Sequence, residues 1–245
     1  MTHEKAAEQQ NEPTGGDRES SLGDLLDGVK AILLDVDGTL VDSNDAHANA
    51  WVDVGREEGI DIHFDTVRAL IGMGSDKVLP RIAGIEKESA DGKRMAERHG
   101  EIFRTQYLPH LSAFPGTREM LEALIEARYT LVVATSASEK DMKAILEQAG
   151  IADLLTKKTN SSDVEDSKPD PDIIQAALKK AGVPAGSAVM IGDTPYDIEA
   201  ASNAGVKSVA FRCGGWWTDE DLGDADFIAD GPASFTADLS DRPSV

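Results

Sequence analysis

Four short apolar runs, VKAILLD (29–35), TLVVATS (130–136), SAVMIGD (187–193) and VKSVAF (206–211), alternate with stretches of helical periodicity, and this alternation most constrains the fold. The runs are rich in Val, Ile and Ala without strict polar alternation, the pattern of strands buried on both faces. Between them, residues 117–127, 138–150, 171–182 and 195–205 read as helices, with Ser138 and Asp170 as expected caps and Gly150, Gly182 and Gly205 as stops. Strand, helix and strand in succession predict an α/β fold with a Rossmann-like, doubly wound parallel sheet.

Residues 44–112 break the alternation, showing only helical pattern before FPGTREM resumes the sheet pattern. They are expected to form an inserted α-helical cap domain, with residues 25–43 and 113–237 as the α/β core. Because the insertion leaves just after the first strand, it is placed above the carboxyl ends of the strands, where ligands bind in open α/β sheets. Residues 1–24 carry too little large apolar surface to offset their ordering entropy and read as a disordered acidic tail; residues 238–245 read as a loose C-terminal tail.

The 245-residue chain is 40% hydrophobic and 28% charged, which suits one soluble domain carrying a smaller insertion. Lys and Arg total 24 against 45 Asp and Glu, a net charge of -21, which argues against nucleic acid and anionic membrane surfaces as partners. An anionic substrate therefore needs a local positive site. No stretch has signal-peptide or membrane-span character, and the single Cys213 excludes an intramolecular disulfide; a cytoplasmic location is expected, with Cys213 as a small packed residue.

The first apolar run ends in Asp35 and Asp37, which on a strand project to the same side. A D-x-D pair is common by chance in so acidic a chain, and a solvated turn would contain the same letters. The other strand ends weigh against that reading: VVATSAS ends in hydroxyls, DSKPDP places Lys168 before a helix, and VMIGDTPYD offers Asp193 and Asp197.

These stretches, DVDGTLVDS, ATSAS, SKPDPDI and IGDTPYDIEAA, resemble the four ordered motifs of the haloacid dehalogenase superfamily, in the subgroup of phosphoglycolate phosphatase and β-phosphoglucomutase with a helical cap. The resemblance spans roughly residues 29–230. It implies that Asp35 is the nucleophile and Asp37 the general acid and base of phosphoryl transfer. Lys168 would neutralise the nucleophile and phosphate oxygens, and Ser136, chosen over Thr135 by the family's spacing, would supply the phosphate hydroxyl. Asp35, Asp193 and the Asp37 carbonyl would hold Mg²⁺, with Asp197 in its outer shell. Asp197 also reads simply as an acid favoured at a helix N-terminus. Asp37 and Asp193 together point to phosphoryl transfer, because the dehalogenases that name the superfamily lack this second aspartate and the metal set.

Signals from the cap are weaker. His47 and Trp51 share a helix face at i and i+4, and the resemblance places His47 near the general acid, although an interface histidine fits as well. IGMGSDKVLPR (71–81) resembles the substrate-reading loop, with Lys77 and Arg81 as cations that would face a substrate. Trp216 and Trp217, before an expected Thr218 N-cap, suit packing or an interface patch. The expected activity is a Mg²⁺-dependent phosphatase of a small phosphorylated metabolite, a sugar phosphate or phosphoglycolate, acting as a monomer or homodimer. The alternatives are a sugar phosphomutase and a catalytically silent binding protein on the same fold.

Overall fold

The run Ala31–Leu34 (β1) is fully buried along its whole length, and it pairs in parallel with Thr130–Ala134 (β2) on one side and Ala188–Gly192 (β4) on the other. In a computed structural model describing residues 21–164 and 166–240, six parallel strands form one sheet, in the spatial order Lys157–Thr159 (β3), β2, β1, β4, Lys207–Phe211 (β5) and Phe227–Ala229 (β6). Lys207–Phe211 (β5) continues it beyond β4. Two strands were not foreseen: Lys157–Thr159 (β3) and Phe227–Ala229 (β6). Each is three residues long at a sheet edge: β3 reads KKT, with no large apolar residue, and β6 reads FIA, apolar but too short to stand out as a strand; neighbouring strands define them through backbone pairing.

The period-two alternation sorts the strand side chains into two cores. Ile32, Leu34, Val133, Ile191 and Val209 face one way with Leu121, Leu124, Ile145 and Phe235. Ala31, Leu33, Val132 and Met190 face the other, against Ile173, Ile174 and Ala201. In chain order the helices are Leu22–Leu25 (α1), Asn44–Glu58 (α2), Phe64–Arg68 (α3), Ser75–Ala83 (α4), Ala90–Ile102 (α5), Thr117–Glu126 (α6), Glu139–Gln148 (α7), Asp172–Ala181 (α8), Pro195–Asn203 (α9) and Pro232–Ser240 (α10). Ser138 caps α7 by accepting the Asp141 N–H. Asp170 does not cap α8: Pro171 takes that position, and the Asp170 carboxylate is drawn to Lys77 instead. Thr218 accepts the Asp221 N–H at the head of a turn, not of a helix.

Only helical elements lie between Asn44 and His110, α2 to α5 followed by a π turn over Phe103–Tyr107 and a 3₁₀ turn. The two connections to the sheet run side by side, joined by a bridge between Val41 and Ala113 and by the Phe114 N–H to Leu40 carbonyl bond at 3.0 Å. The ends of the chain differ from expectation. Residues 21–24, expected in the tail, are ordered, with Leu22 and Leu25 buried against the core and α1 packed on α10. Residues 238–240, expected to be loose, complete α10, while 1–20 and 241–245 lie outside the described residues. Leu22→Ala and Leu25→Ala should each lower stability by about 2 kcal/mol or more in urea denaturation, as buried leucines do and tail residues do not.

Candidate active site

Parallel pairing in register brings the carboxyl ends of β1, β2 and β4 to one rim, so Asp35, Thr135 and Asp193, each one residue past its strand, converge there. Lys168 reaches the same point from the loop before α8. Its ammonium is completely buried, 2.5 Å from Asp35 Oδ1 and 2.6 Å from Asp197 Oδ1. Asp197 serves two purposes: its Oδ2 accepts the Thr194 N–H and hydroxyl in a capping box that starts α9, while Oδ1 faces the lysine. Both readings of Asp197 as an N-terminal acid and as a member of the site thus apply to one side chain.

Side-chain oxygens of Asp35, Asp193 and Asp197, all buried, lie within 4.8 Å of one another. Thr39 donates its hydroxyl to Asp193 Oδ1 at 3.1 Å, and Asn44 donates to Asp193 Oδ2 at 2.8 Å. The crowding shows in the protonation equilibria. Burial, opposed by Lys168 and reinforced by Asp197, Asp193 and Asp37, holds the Asp35 pKa well above the usual carboxylate range. Burial and then Asp197 push Asp193 up to about 7, against the bonds from Asn44 and Thr39. Lys168 moves the other way: burial opposes its charge, but Asp197 and Asp35 outweigh that and raise its pKa.

Asp37 turns away from this cluster. Its Oδ1 accepts the Ser43 hydroxyl at 2.5 Å and meets His47 Nε2 at 3.0 Å. Burial would raise its pKa, yet the His47 charge, the bonds from His47 and Ser43, and Lys168 together lower it. The His47 ring stacks on Phe103 at 3.8 Å, which fixes its orientation from the cap side. The turn between the two aspartates and α2 depends on Gly38, at φ 78°, where an added Cβ would lie 2.0 Å from Asn44 Nδ2 and 2.2 Å from Asp193 Oδ2.

Asp35 and Asp37 open onto a cavity of about 380 Å³ between the helical segment and the sheet. Thr135 and Ser136 both line it; Ser136 donates to the Gly72 carbonyl of the 71–81 loop at 3.0 Å, whereas the Thr135 hydroxyl accepts the Ala137 N–H. Lys77 and Arg81 do not line it. Lys77 is held by the Ser167 carbonyl and Asp170, and Arg81 is directed to the Lys77 carbonyl, so neither cation faces a substrate. The cations on the cavity wall are instead Lys87, Lys140 and Arg104, the last paired with Asp141. The sequence offered no signal for Arg104, which the π turn at the end of α5 aims across the cap–core boundary. Nor did it single out Ser43 and Asn44, although Ser43 ends the DVDGTLVDS motif and Asn44 directly follows it. Trp217 packs edge-on against Tyr196, and half-exposed Trp216 covers the Arg68 guanidinium, so both tryptophans pack across this side of the site.

The sequence model of the haloacid dehalogenase-like hydrolase family matches residues 32–211, a span holding all of these groups. The chain belongs to the haloacid dehalogenase-like hydrolases. It is 30% identical over 77% of its length to "Probable phosphatase IndB" of Dickeya dadantii (strain 3937), covering 84% of that protein. It is 31% identical over 76% of its length to a phosphoglycolate phosphatase of Pseudomonas savastanoi pv. phaseolicola, covering 70% of it. A crystal structure of a hydrolase from Pseudomonas syringae superposes with TM-score 0.78 at 27% identity, over 88% of this chain and 100% of that one. Within its family the chain is a phosphatase. Gly38→Ala should destabilise it by about 1–2 kcal/mol from the backbone alone, and by more once contact with Asp193 is added, measurable as a lower urea midpoint.

Proposed function

We propose that this phosphatase hydrolyses a small phosphorylated metabolite, a sugar phosphate or phosphoglycolate, through an aspartyl phosphate on Asp35. One observation carries the reading: Asp35, paired with buried Lys168, and Asp37, held by His47 and Ser43, open onto the same cavity. The Asp35 carboxylate attacks phosphorus as the ester P–O bond breaks, and Asp37 gives a proton to the departing oxygen. Asp37 then takes a proton from the water that cleaves the aspartyl phosphate and releases inorganic phosphate. The lowered pKa of Asp37 suits the base step, and an entering phosphate dianion shifts it upward for the acid step. Lys168 balances the charge on Asp35, and the Ser136 hydroxyl, on the cavity wall, would turn from the Gly72 carbonyl to donate to a phosphate oxygen.

Residues and metal fit: the three carboxylates are buried and mutually repelling, the condition that a hard divalent cation relieves. Asp35, Asp193 and the Asp37 carbonyl would hold Mg²⁺, which supplies charge neutralisation between the nucleophile and the phosphate. A mutase must hold a second phosphate with a fixed cation, best an arginine. Ser75 stands at the loop position where the β-phosphoglucomutase pattern has one, and Arg104, the arginine on the cavity wall, is already committed to Asp141. This favours hydrolysis over isomerisation.

With Mg²⁺, the protein should release phosphate from an aryl phosphate and lose that activity in EDTA. On β-glucose 1-phosphate with a trace of bisphosphate, free phosphate should form faster than glucose 6-phosphate; the reverse order would make it a mutase. Asp35→Asn should abolish phosphoenzyme formation while leaving Tm near that of the wild type, and Asp37→Ala should slow turnover by on the order of 10²-fold or more.

A further inference from the structure

The residue before Lys168 is gripped by the helical segment. Ser167 is buried, and its hydroxyl accepts the Gly74 N–H at 2.9 Å and donates to Asp76 Oδ2 at 2.9 Å. Its own N–H donates to Asp76 Oδ2 at 3.3 Å, and its carbonyl accepts Lys77 Nζ at 2.5 Å. Lys77 completes the clasp on Asp170. The hydroxyl, N–H and carbonyl of Ser167 therefore each bond to residues 74–77, the first turn of α4 and its cap, and the carbonyl also accepts the Asp170 N–H at 3.1 Å. The fit is tight: a Cβ added to Gly74 would lie 2.7 Å from Ser167 Cβ. One peptide bond further on, the Lys168 ammonium sits between Asp35 and Asp197.

We propose that Ser167, Asp76 and Lys77 are positioning residues for Lys168: docking of the α4 N-terminus on this loop sets where the ammonium stands between nucleophile and Asp197. None of the three is placed to touch the reacting atoms. Their effect is to tie the position of the ammonium, and with it the charge balance at Asp35, to the docking of the helical segment on this loop. A lysine on a free loop would reach the same carboxylates through many rotamers; anchoring its backbone at Ser167 removes that freedom. The inference rests on the phosphatase reading of the site, in which Lys168 balances Asp35.

The test combines kinetics on an aryl phosphate with Mg²⁺ and hydrogen exchange of the full chain, followed at the Gly74 amide. Ser167→Ala and Asp76→Ala should each lower kcat about tenfold, the effect of removing a buried hydrogen bond, with a much smaller change in KM. The double variant should be no worse than either single one, because both break the same unit. Ser167→Thr, which keeps the hydroxyl, should recover most of kcat, and Gly74 should lose exchange protection in Ser167→Ala. Lys77→Met, further from the site and partly exposed, gives the same readout should Ser167→Ala fail to fold. An unchanged kcat in a variant whose Gly74 amide has lost protection would overturn the coupling, as would undiminished protection in Ser167→Ala. A wild-type protein inactive on every phosphoester would instead overturn the phosphatase reading and, with it, this inference.

Discussion

The buried contact of Lys168 with Asp35 and Asp197 is the interaction on which the rest of the structure depends. Taking an ammonium and carboxylates out of water costs several kcal/mol per ion, so such a group survives only when its partners are complete. Here one cation faces three clustered carboxylates, and the shortfall appears as the raised pKa values of Asp35 and Asp193. The neighbouring donors answer that shortfall: Thr39 and Asn44 toward Asp193, Thr194 toward Asp197. The site is thus an electrostatically unfinished cluster, suited to receive a divalent cation.

The helical segment contributes to the site at both ends of the cavity. From α2 it supplies His47, which with Ser43 holds the Asp37 carboxylate, and His47 is itself fixed by stacking on Phe103. From the 71–81 loop it supplies the Gly72 carbonyl to Ser136 and the grip on Ser167. Polar groups of the cap therefore touch Asp37, Ser136 and the neighbour of Lys168, so the seating of this segment is built into the geometry of the site. The hydrolase fold and the insertion are coupled through hydrogen bonds rather than through a broad apolar surface alone.

An acidic protein that takes an anionic substrate needs a local exception to its own field. The net charge of -21 is spread over the whole sequence, while Lys87, Arg104 and Lys140 line the cavity and Lys168 lies beneath it. Asp141 tempers Arg104, which leaves a polar, mixed-charge wall opposite the reacting end.

By itself the sequence determined the parallel core and the chemical set within it. Strands buried on both faces must be largely apolar, so AILL, TLVVA, AVMIG and KSVAF announced four strands; the residues just past two of them announced the carboxylates, and SKPDPDI ahead of a helix announced the lysine. At the edges, KKT has no such content and FIA is only three residues long, so neither showed as a strand until backbone pairing defined it. Leu22 looked like part of a polar tail because its helix packs on α10, more than two hundred residues away. The direction of Lys77, the grip on Ser167 and the arrival of Arg104 in the cavity were likewise decided by tertiary structure alone. The physical reason is that a long charged side chain takes the nearest compensating group in space, and sequence spacing fixes such a neighbour only within a single element.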